Sequence, residues 1–208
     1  MRRKEFAVED RREAEKFLEE TSYGFLGLVT ESGDPSVVPL NFVYFRGAIY
    51  FHGSQAGEKM NSLRRHNRVC FSAAREYAVI PSYFTDAKYA CPATVFFKSV
   101  MVRGKAEIVQ DPGEKAEVFA AFMRKLQPEG GYSAIDLNDE VYARQIRGTA
   151  IVKIHIEEMT AKFKFGQNWP EEKRASVERQ LLERGREADA ETAEQMRRYN
   201  KPKPADNG

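Results

Sequence analysis

The sequence predicts a mainly β domain of the α+β class, in which six strands form a closed or nearly closed antiparallel barrel with a few packing helices. Three observations support this fold. Runs rich in Val, Ile, Phe and Tyr recur through the first 165 residues and alternate apolar with polar positions, as half-buried strands do. Compact turn sequences such as Ser32-Gly33-Asp34-Pro35 and Arg46-Gly47 separate these runs. The helix-like segments are amphipathic, so we expect them to pack on the sheet.

The six predicted strands follow the apolar runs. They cover residues 23–30, 35–45, 48–52, 68–74, 94–109 and 149–165. The second and third form a hairpin around Arg46-Gly47, because a short turn joins two alternating runs there. Residues 75–93 contain Pro81, Pro92 and four aromatic side chains, and we expect a long ordered loop over this segment.

Helices are predicted at residues 8–20, after Gly57, from Asp111, and at 136–145. Asp111-Pro112-Gly113-Glu114 has the residue types of a helix start, with Asp as N-cap, Pro in the first turn and Glu at the third helical position. One face of this helix is apolar and is expected to pack on the sheet; it carries Val118, Phe119, Phe122, Met123 and Leu126.

The composition changes after Trp169-Pro170, where Glu, Arg, Ala and Gln dominate. Residues 171–200 read as two helices around Gly185 that are too poor in apolar residues to fold alone. We therefore expect them to lie on the barrel or on a partner subunit. The predicted organisation is a barrel domain at residues 1–169 and a helical extension at 170–208 with a disordered end.

Composition and charge argue against several classes of protein. The chain has 33 Lys and Arg against 31 Asp and Glu, a net charge of +2, so nucleic-acid binding is not expected. Charged residues follow Met1 and no window approaches a membrane span, which predicts a cytoplasmic protein. Cys70 and Cys91 belong to no metal-binding motif, and we expect both to be free thiols and no metal to be bound.

The segment Gly53 to Lys59 carries the main chemical signal. A strand ends in a small-residue loop that holds the Ser54 hydroxyl and the Lys59 ammonium just before a helix start. A hydroxyl, an ammonium and free backbone amides at a helix N-terminus can hold an anion, so we expect a phosphate-bearing ligand here. His52, two positions before Ser54, either donates to that ligand or is a histidine satisfied at a strand end.

Three segments carry a family resemblance. Val37-Val38-Pro39-Leu40-Asn41-Phe42, then Tyr50-Phe51-His52-Gly53-Ser54 with Gly57-Glu58-Lys59, and Lys98-Ser99-Val100 leading to Arg103-Gly104-Lys105-Ala106-Glu107 keep the order and rough spacing of a known set of flavin-binding strands. In these the chain, over about residues 5–165, resembles the FMN-binding split-barrel superfamily founded on pyridoxamine 5'-phosphate oxidase. The resemblance implies a six-stranded, Greek-key antiparallel split barrel with peripheral helices.

Two branches of the superfamily are similar to different parts of the chain. The Val38-to-Phe42 and Tyr50-to-Ser54 forms look most like the branch related to nitroimidazole-resistance proteins. Residues 162–168 (KFKFGQN) are similar to a C-terminal signature of FMN-binding negative transcriptional regulators. The Arg-containing substrate motif of the vitamin-metabolising oxidase itself has no counterpart.

The resemblance implies an FMN cofactor and a set of contacts to it. Ser54 and Lys59 would hold the phosphate, the backbone around Asn41 would orient the ring, and Ser99 rather than Lys98 would point inward. The full set of expected FMN contacts is Val38, Pro39, Leu40, Asn41, Phe51, His52, Ser54, Lys59, Ser99, Lys164, Gln167, Asn168 and Trp169. Plainer interpretations stay open: Lys59 as a solvated loop lysine, Asn41 at an edge facing solvent, and Trp169 as an anchor for the terminal helices. No catalytic side chain can be assigned.

The implied function is an FMN-dependent oxidoreductase that takes electrons from a nicotinamide donor and reduces a small organic acceptor. The superfamily site lies between two subunits, so the resemblance also implies a homodimer. One alternative is a flavin-binding sensor or transcriptional regulator without turnover. Another is a split barrel that holds a deazaflavin or haem.

Overall fold

The computed structural model describes residues 3–200, in which seven strands form one antiparallel sheet in the order β2-β1-β5-β6-β7-β4-β3. The strands are β1 (Tyr23–Val29), β2 (Pro35–Asn41), β3 (Val43–Phe45), β4 (Ala48–Gly53), β5 (Arg68–Ile80), β6 (Thr94–Ile108) and β7 (Ala150–Lys164). The predicted class, an α+β split barrel, is confirmed. The disordered end predicted over the last eight residues, 201–208, lies outside the described residues.

The α-helices of the described segment are α1 (Arg11–Glu20), α2 (Glu58–Arg65), α3 (Pro112–Leu126), α4 (Glu140–Gly148), α5 (Glu171–Arg184) and α6 (Asp189–Tyr199). Short 3-10 helices occupy Lys4–Phe6 and Ser82–Phe84. The predicted start of α3 is confirmed, since the Asp111 carboxylate accepts a hydrogen bond from the Glu114 backbone N–H at 2.6 Å. Within residues 3–200, none of the helices combines the length and apolar character that a membrane crossing requires.

The prediction of six strands is wrong by one, because the strand expected over residues 35–45 divides at Phe42. The Phe42 side chain is buried, with its ring 4.7 Å from that of Phe71. Its backbone N–H bonds to the Ser22 carbonyl, in the register of the β1–β2 pairing, whereas its own carbonyl accepts from the Lys125 side chain. Before Phe42 the chain pairs with β1 as β2, and after it the chain pairs with β4 as β3.

The loop predicted over residues 75–93 is also too long. β5 continues to Ile80, and the loop begins only at Pro81. Tyr77, Ala78 and Ile80 are buried in this continuation, although the prolines and aromatic residues of the segment had predicted a loop there.

The chain divides into two compact units. One consists of residues 10–73 and 100–160 and holds α1 to α4. Its core includes α3 packed on strands β3 and β4, with Val118 and Phe122 buried against Val43 and Tyr50. The predicted apolar face of α3 is thus buried as far as Phe122, whereas Leu126 at the helix end is about half exposed (51%).

The other unit comprises residues 3–9, 74–99 and 161–200 of the described chain and holds α5 and α6. The predicted break at Gly185 is confirmed: this residue ends α5 in the left-handed conformation (φ 65°), which glycine adopts without strain. The helices pack on their own unit, because the Tyr199 ring stacks on Phe165 at 5.5 Å and the Gln180 amide donates to the Phe84 carbonyl at 2.8 Å. The domain boundary at residue 169 stays a prediction.

Candidate functional site

The Gly53–Lys59 turn joins the end of β4 to the start of α2. Gly57, the N-cap residue of α2, has a φ of 106°, a conformation in which a side chain would be strained. A glycine at the N-cap offers no side-chain acceptor to the first-turn N–H groups of the helix. The turn therefore leaves backbone donors at the N-terminus of α2 for another acceptor.

Lys59 and Ser54 stand at this turn. Lys59 Nζ lies 5.1 Å from the centroid of the Phe51 ring, and burial lowers the pKa of its ammonium. The exposed Ser54 hydroxyl accepts a hydrogen bond from the Ala56 N–H at 3.2 Å and keeps its own proton to donate. A half-buried ammonium beside a free hydroxyl suits a phosphate, so the residues present fit the phosphate of a flavin mononucleotide.

His52 and Phe51 point to opposite faces of β4, as neighbours in a strand do. Phe51 is buried, while the His52 ring packs against Phe122 and Phe119 of α3, at 4.8 Å and 6.0 Å between centroids. Burial, followed by the charge on Lys59, lowers the pKa of His52. The imidazole is therefore neutral at neutral pH. One of its nitrogens can donate a hydrogen bond and the other can accept one.

The four β2 residues in the predicted site alternate between two faces. Leu40 is buried and Val38 is half-buried, whereas Pro39 and Asn41 are exposed on the opposite face. Pro39 and Asn41 face the same side as Phe25 and Tyr23, their register partners in β1. The Asn41 amide also donates to the Ser22 carbonyl at 3.1 Å, which fixes its orientation.

On β6, Lys98 rather than Ser99 points into the protein core, whereas the expected contact between Ser99 and FMN stays a prediction. Lys98 is 7% exposed, and its Nζ lies between 5.1 and 5.9 Å from the centroids of four aromatic rings, those of Tyr77, Phe163, Phe165 and Tyr199. Ser99 is half-buried on the other face, with its hydroxyl 3.4 Å from the Lys162 carbonyl. The aromatic rings around Lys98 favour the ammonium on the buried side.

Three of the four C-terminal residues in the predicted site, Lys164, Asn168 and Trp169, line one cavity of about 470 Å³. Gln167 belongs to the turn instead: its amide accepts from the Phe165 N–H and donates to the Phe163 carbonyl, both at 2.7 Å. The cavity wall also contains Arg3, Phe6, Cys91, Pro92, Ala93, Thr94, Phe97, Lys162 and Lys173.

Sequence reasoning did not place Arg3 and Lys173 at this cavity, because Arg3 is distant from β7 in the chain, Lys173 belongs to α5, and no motif includes either residue. Lys162 and Lys164 alternate with Phe163 and Phe165 at the end of β7, and both lysines line the cavity. The structure thus forms two groups of site residues, each described within its own unit: Phe51, His52, Ser54 and Lys59 in one, and Lys164, Asn168 and Trp169 in the other.

Comparisons with known proteins identify the family. Residues 10–163 match the pyridoxamine 5'-phosphate oxidase family. The chain belongs to this family. Its members include flavin-binding split-barrel proteins and oxidoreductases, so the family predicted from the sequence is confirmed. No curated protein sequence matches the chain.

Solved structures support the fold of this family member. A flavocytochrome, Anf3, from Azotobacter vinelandii is 28% identical with a TM-score of 0.66, and the match covers 82% of this chain and 75% of that one. A protein described as a 5-nitroimidazole antibiotic resistance protein from Bacteroides thetaiotaomicron is 26% identical with a TM-score of 0.59, covering 75% and 85%. An FAD- and haem-binding protein from Mycobacterium smegmatis shares the fold at 17% identity, with a TM-score of 0.62 and coverage of 82% and 80%.

Proposed function

We propose that this family member is an FMN-dependent oxidoreductase that takes electrons from a nicotinamide donor and reduces a small organic acceptor. One observation carries the proposal: the half-buried Lys59 ammonium and the exposed Ser54 hydroxyl belong to one turn, at a helix start whose N-cap glycine offers no side-chain acceptor. A burial-depressed ammonium is best stabilised by a nearby anion, and the phosphate of FMN supplies one.

The chain's own side chains bind and orient, while FMN, when bound, supplies the hydride transfer. Lys59 and Ser54 hold the phosphate by charge and by hydrogen bonding. Neutral His52 donates a hydrogen bond without adding charge beside Lys59. The exposed face of β2, with Pro39 and the fixed amide of Asn41, contacts the ring and excludes water from it.

A homodimer is part of the proposal, because the same face of the β1–β2 hairpin is apolar and open. Tyr23, Phe25, Val29 and Val37 are 49%, 46%, 38% and 66% exposed, and the strand register puts all four on one side. Exposed apolar patches of this kind mark interaction surfaces. A second copy of the chain is the partner that the family resemblance indicates, with the cofactor at the subunit interface.

The relatives support a flavin in this fold. The A. vinelandii protein, at 28% identity, is a flavocytochrome, and the match covers 82% of this chain. Other members of the same structural group bind FAD and haem. The choice of FMN rests on the phosphate site at Ser54 and Lys59 and on the resemblance, and chromatography of the released cofactor decides it.

The test is a spectrum followed by a reduction. The purified protein is expected to show oxidised-flavin absorption, or to acquire it when FMN is added, and to elute as a dimer. Reduced nicotinamide added without oxygen should bleach that absorption, and a small organic acceptor should restore it. A bound flavin that stays oxidised with every nicotinamide would favour the sensor alternative, and a protein that takes up no flavin would contradict the proposal.

A further inference from the structure

The cavity at the end of β7 is strongly cationic. Arg3, Lys162, Lys164 and Lys173 line it, and no Asp or Glu appears in its wall among residues 3–200. Burial, and then the charges of Lys162 and Arg3, lower the pKa of Lys164. Arg3 is paired with Glu5 at 3.7 Å, whereas Lys162, Lys164 and Lys173 place three like charges around about 470 Å³. These three ammonium groups repel one another, and an anion in the cavity would remove that cost.

The same cavity has an aromatic wall held in place by its own packing. The Trp169 ring lies 5.3 Å from that of Phe96, and the missing side chain of Gly166 leaves room for the indole, because a Cβ there would lie 3.0 Å from it. Lys173 Nζ lies 4.6 Å from the indole centroid. A fixed ring beside ammonium groups suits a flat, conjugated anion better than a simple ion.

We propose that this cavity binds a small aromatic carboxylate or a similar planar organic anion, and that this anion is distinct from the FMN cofactor. The distinction from the cofactor rests on the proposed function, since FMN carries one phosphate and that phosphate is assigned to Ser54 and Lys59. The three lysines of the cavity are then available for a different anion. Every residue of the cavity wall lies in one unit, residues 3–9, 74–99 and 161–200.

Trp169 is the single tryptophan of the chain, so its fluorescence reports on this cavity alone. Terephthalate is the probe. Two control compounds accompany it: cyclohexanedicarboxylate, which has the same charge but no aromatic ring, and terephthalamide, which is flat but uncharged. Calorimetry and Trp169 emission on flavin-free protein should both show saturable binding of terephthalate. The two control compounds should each bind at least about tenfold more weakly than terephthalate, and added salt should weaken terephthalate binding.

Variants locate the site. Lys162→Gln and Lys173→Gln should each weaken terephthalate binding about tenfold, whereas Lys88→Gln, an exposed lysine of the same unit outside the cavity wall, should leave it unchanged. Equal binding of all three probes, or full affinity in both cavity variants, would overturn the proposal.

The cofactor arm uses calorimetry on FMN-loaded protein. Terephthalate should bind there with unchanged affinity, and its displacement by FMN would overturn the proposal. If the proposed function is wrong, the protein will show no flavin absorption. The titration of flavin-free protein with terephthalate can still be interpreted in that case.

Discussion

A side chain on Gly53 would meet Lys59: a Cβ built at Gly53 would lie 3.2 Å from Lys59 Nζ. The absence of that carbon lets the ammonium approach the end of β4 while it stays over the Phe51 ring. The ammonium and the backbone of the turn therefore meet at one place, and the Ser54 hydroxyl follows directly in the chain. Gly53 is thus part of the proposed phosphate site although it has no functional group.

Replacement of this ammonium tests the phosphate site directly. Lys59→Ala should weaken FMN binding about 10- to 100-fold, since a hydrogen bond to a charged group contributes about 1.5–3 kcal/mol. Quenching of flavin fluorescence on titration measures the affinity. Lys16→Ala is the matched control, because Lys16 is an exposed lysine of the same unit on α1. Full FMN affinity in Lys59→Ala would remove Lys59 from the site.

The pH dependence of FMN binding follows from the lowered pKa of Lys59. A bound phosphate favours the protonated amine, so FMN affinity falls as pH rises through the pKa of Lys59 in the free protein. Burial moves that decline to a lower pH than an ordinary lysine would give. Lys59→Arg keeps its charge throughout this range and should show no such decline. Parallel pH profiles for the two proteins would contradict the assignment.

Close backbone contact at Gly104 predicts a strict requirement for glycine. A Cβ there would lie 1.9 Å from the carbonyl oxygen of His155, an atom of the neighbouring strand that cannot move aside alone. Gly104→Ala should lower the free energy of unfolding by about 3 kcal/mol, at the upper end of overpacking costs. Gly148→Ala, where nothing lies within 4 Å of the new carbon, should be neutral within about 1 kcal/mol. Denaturant unfolding of both variants measures the difference, and equal costs would contradict this account.

Local pattern was sufficient for most of the fold. The alternating runs predicted β1, β4 and β7 nearly to the residue, and the Asp111 cap and Gly185 predicted a helix start and a helix end. These signals work because strand periodicity and capping are properties of adjacent residues. The division at Phe42 was missed because it reflects a change of pairing partner, from β1 to β4, and pairing joins segments that are separate in the chain.

The site could be predicted only in part for the same reason. The Ser54 and Lys59 turn is local, and its residues are adjacent in the chain. Alternation in β6 indicated that Lys98 and Ser99 point to opposite faces, but not which is buried; the aromatic rings that surround Lys98 come from three separate segments. The cavity at Trp169 likewise draws Arg3 and Lys173 from positions that no motif links.

The burial of Lys125 predicts that the free energy of unfolding increases with pH in alkaline solution. Its Nζ donates to the carbonyls of Leu18, Thr21 and Phe42 at 3.0, 2.6 and 3.3 Å, and burial lowers its pKa to about 8. Between about pH 8 and the ordinary lysine value the unfolded chain binds this proton more tightly than the folded one, so the free energy of unfolding should increase with pH. Lys125→Met should lose that increase. The measurement is denaturant unfolding across this range.

The control for this dependence is Lys16→Met, which removes an exposed lysine and should keep the wild-type slope. Lys125→Met should also cost about 1–3 kcal/mol at neutral pH, because the carbonyls at the end of α1 lose their donor. Identical slopes in wild type and Lys125→Met would show that another group titrates.

The link between α5 and α6 depends on a buried ion pair. Asp189 is 1% exposed, and its carboxylate accepts two hydrogen bonds from Arg184, at 2.8 and 2.5 Å, and one from the Arg186 N–H at 2.9 Å. Arg184 also donates to the Val79 carbonyl, so the pair connects the helices to β5 within their unit. Asp189→Asn should lower the free energy of unfolding by about 3 kcal/mol, because it leaves a guanidinium without its counter-charge.

The stability of Asp189→Asn at acidic pH shows whether its effect comes from the lost charge or from altered packing. Arg184 above all, and then the Arg186 N–H, lower the pKa of Asp189. The carboxylate therefore stabilises the folded chain at pH values above the ordinary aspartate pKa, and that contribution is lost as pH falls through the depressed folded value. In denaturant unfolding the stability of wild type should begin to approach that of Asp189→Asn below about pH 4, and the two should meet only below the depressed pKa of Asp189. Glu187→Gln, at an exposed neighbour, should follow wild type at every pH. If the difference in free energy of unfolding between wild type and Asp189→Asn stayed constant down to the lowest pH, the cause would be altered packing by the amide rather than the lost charge.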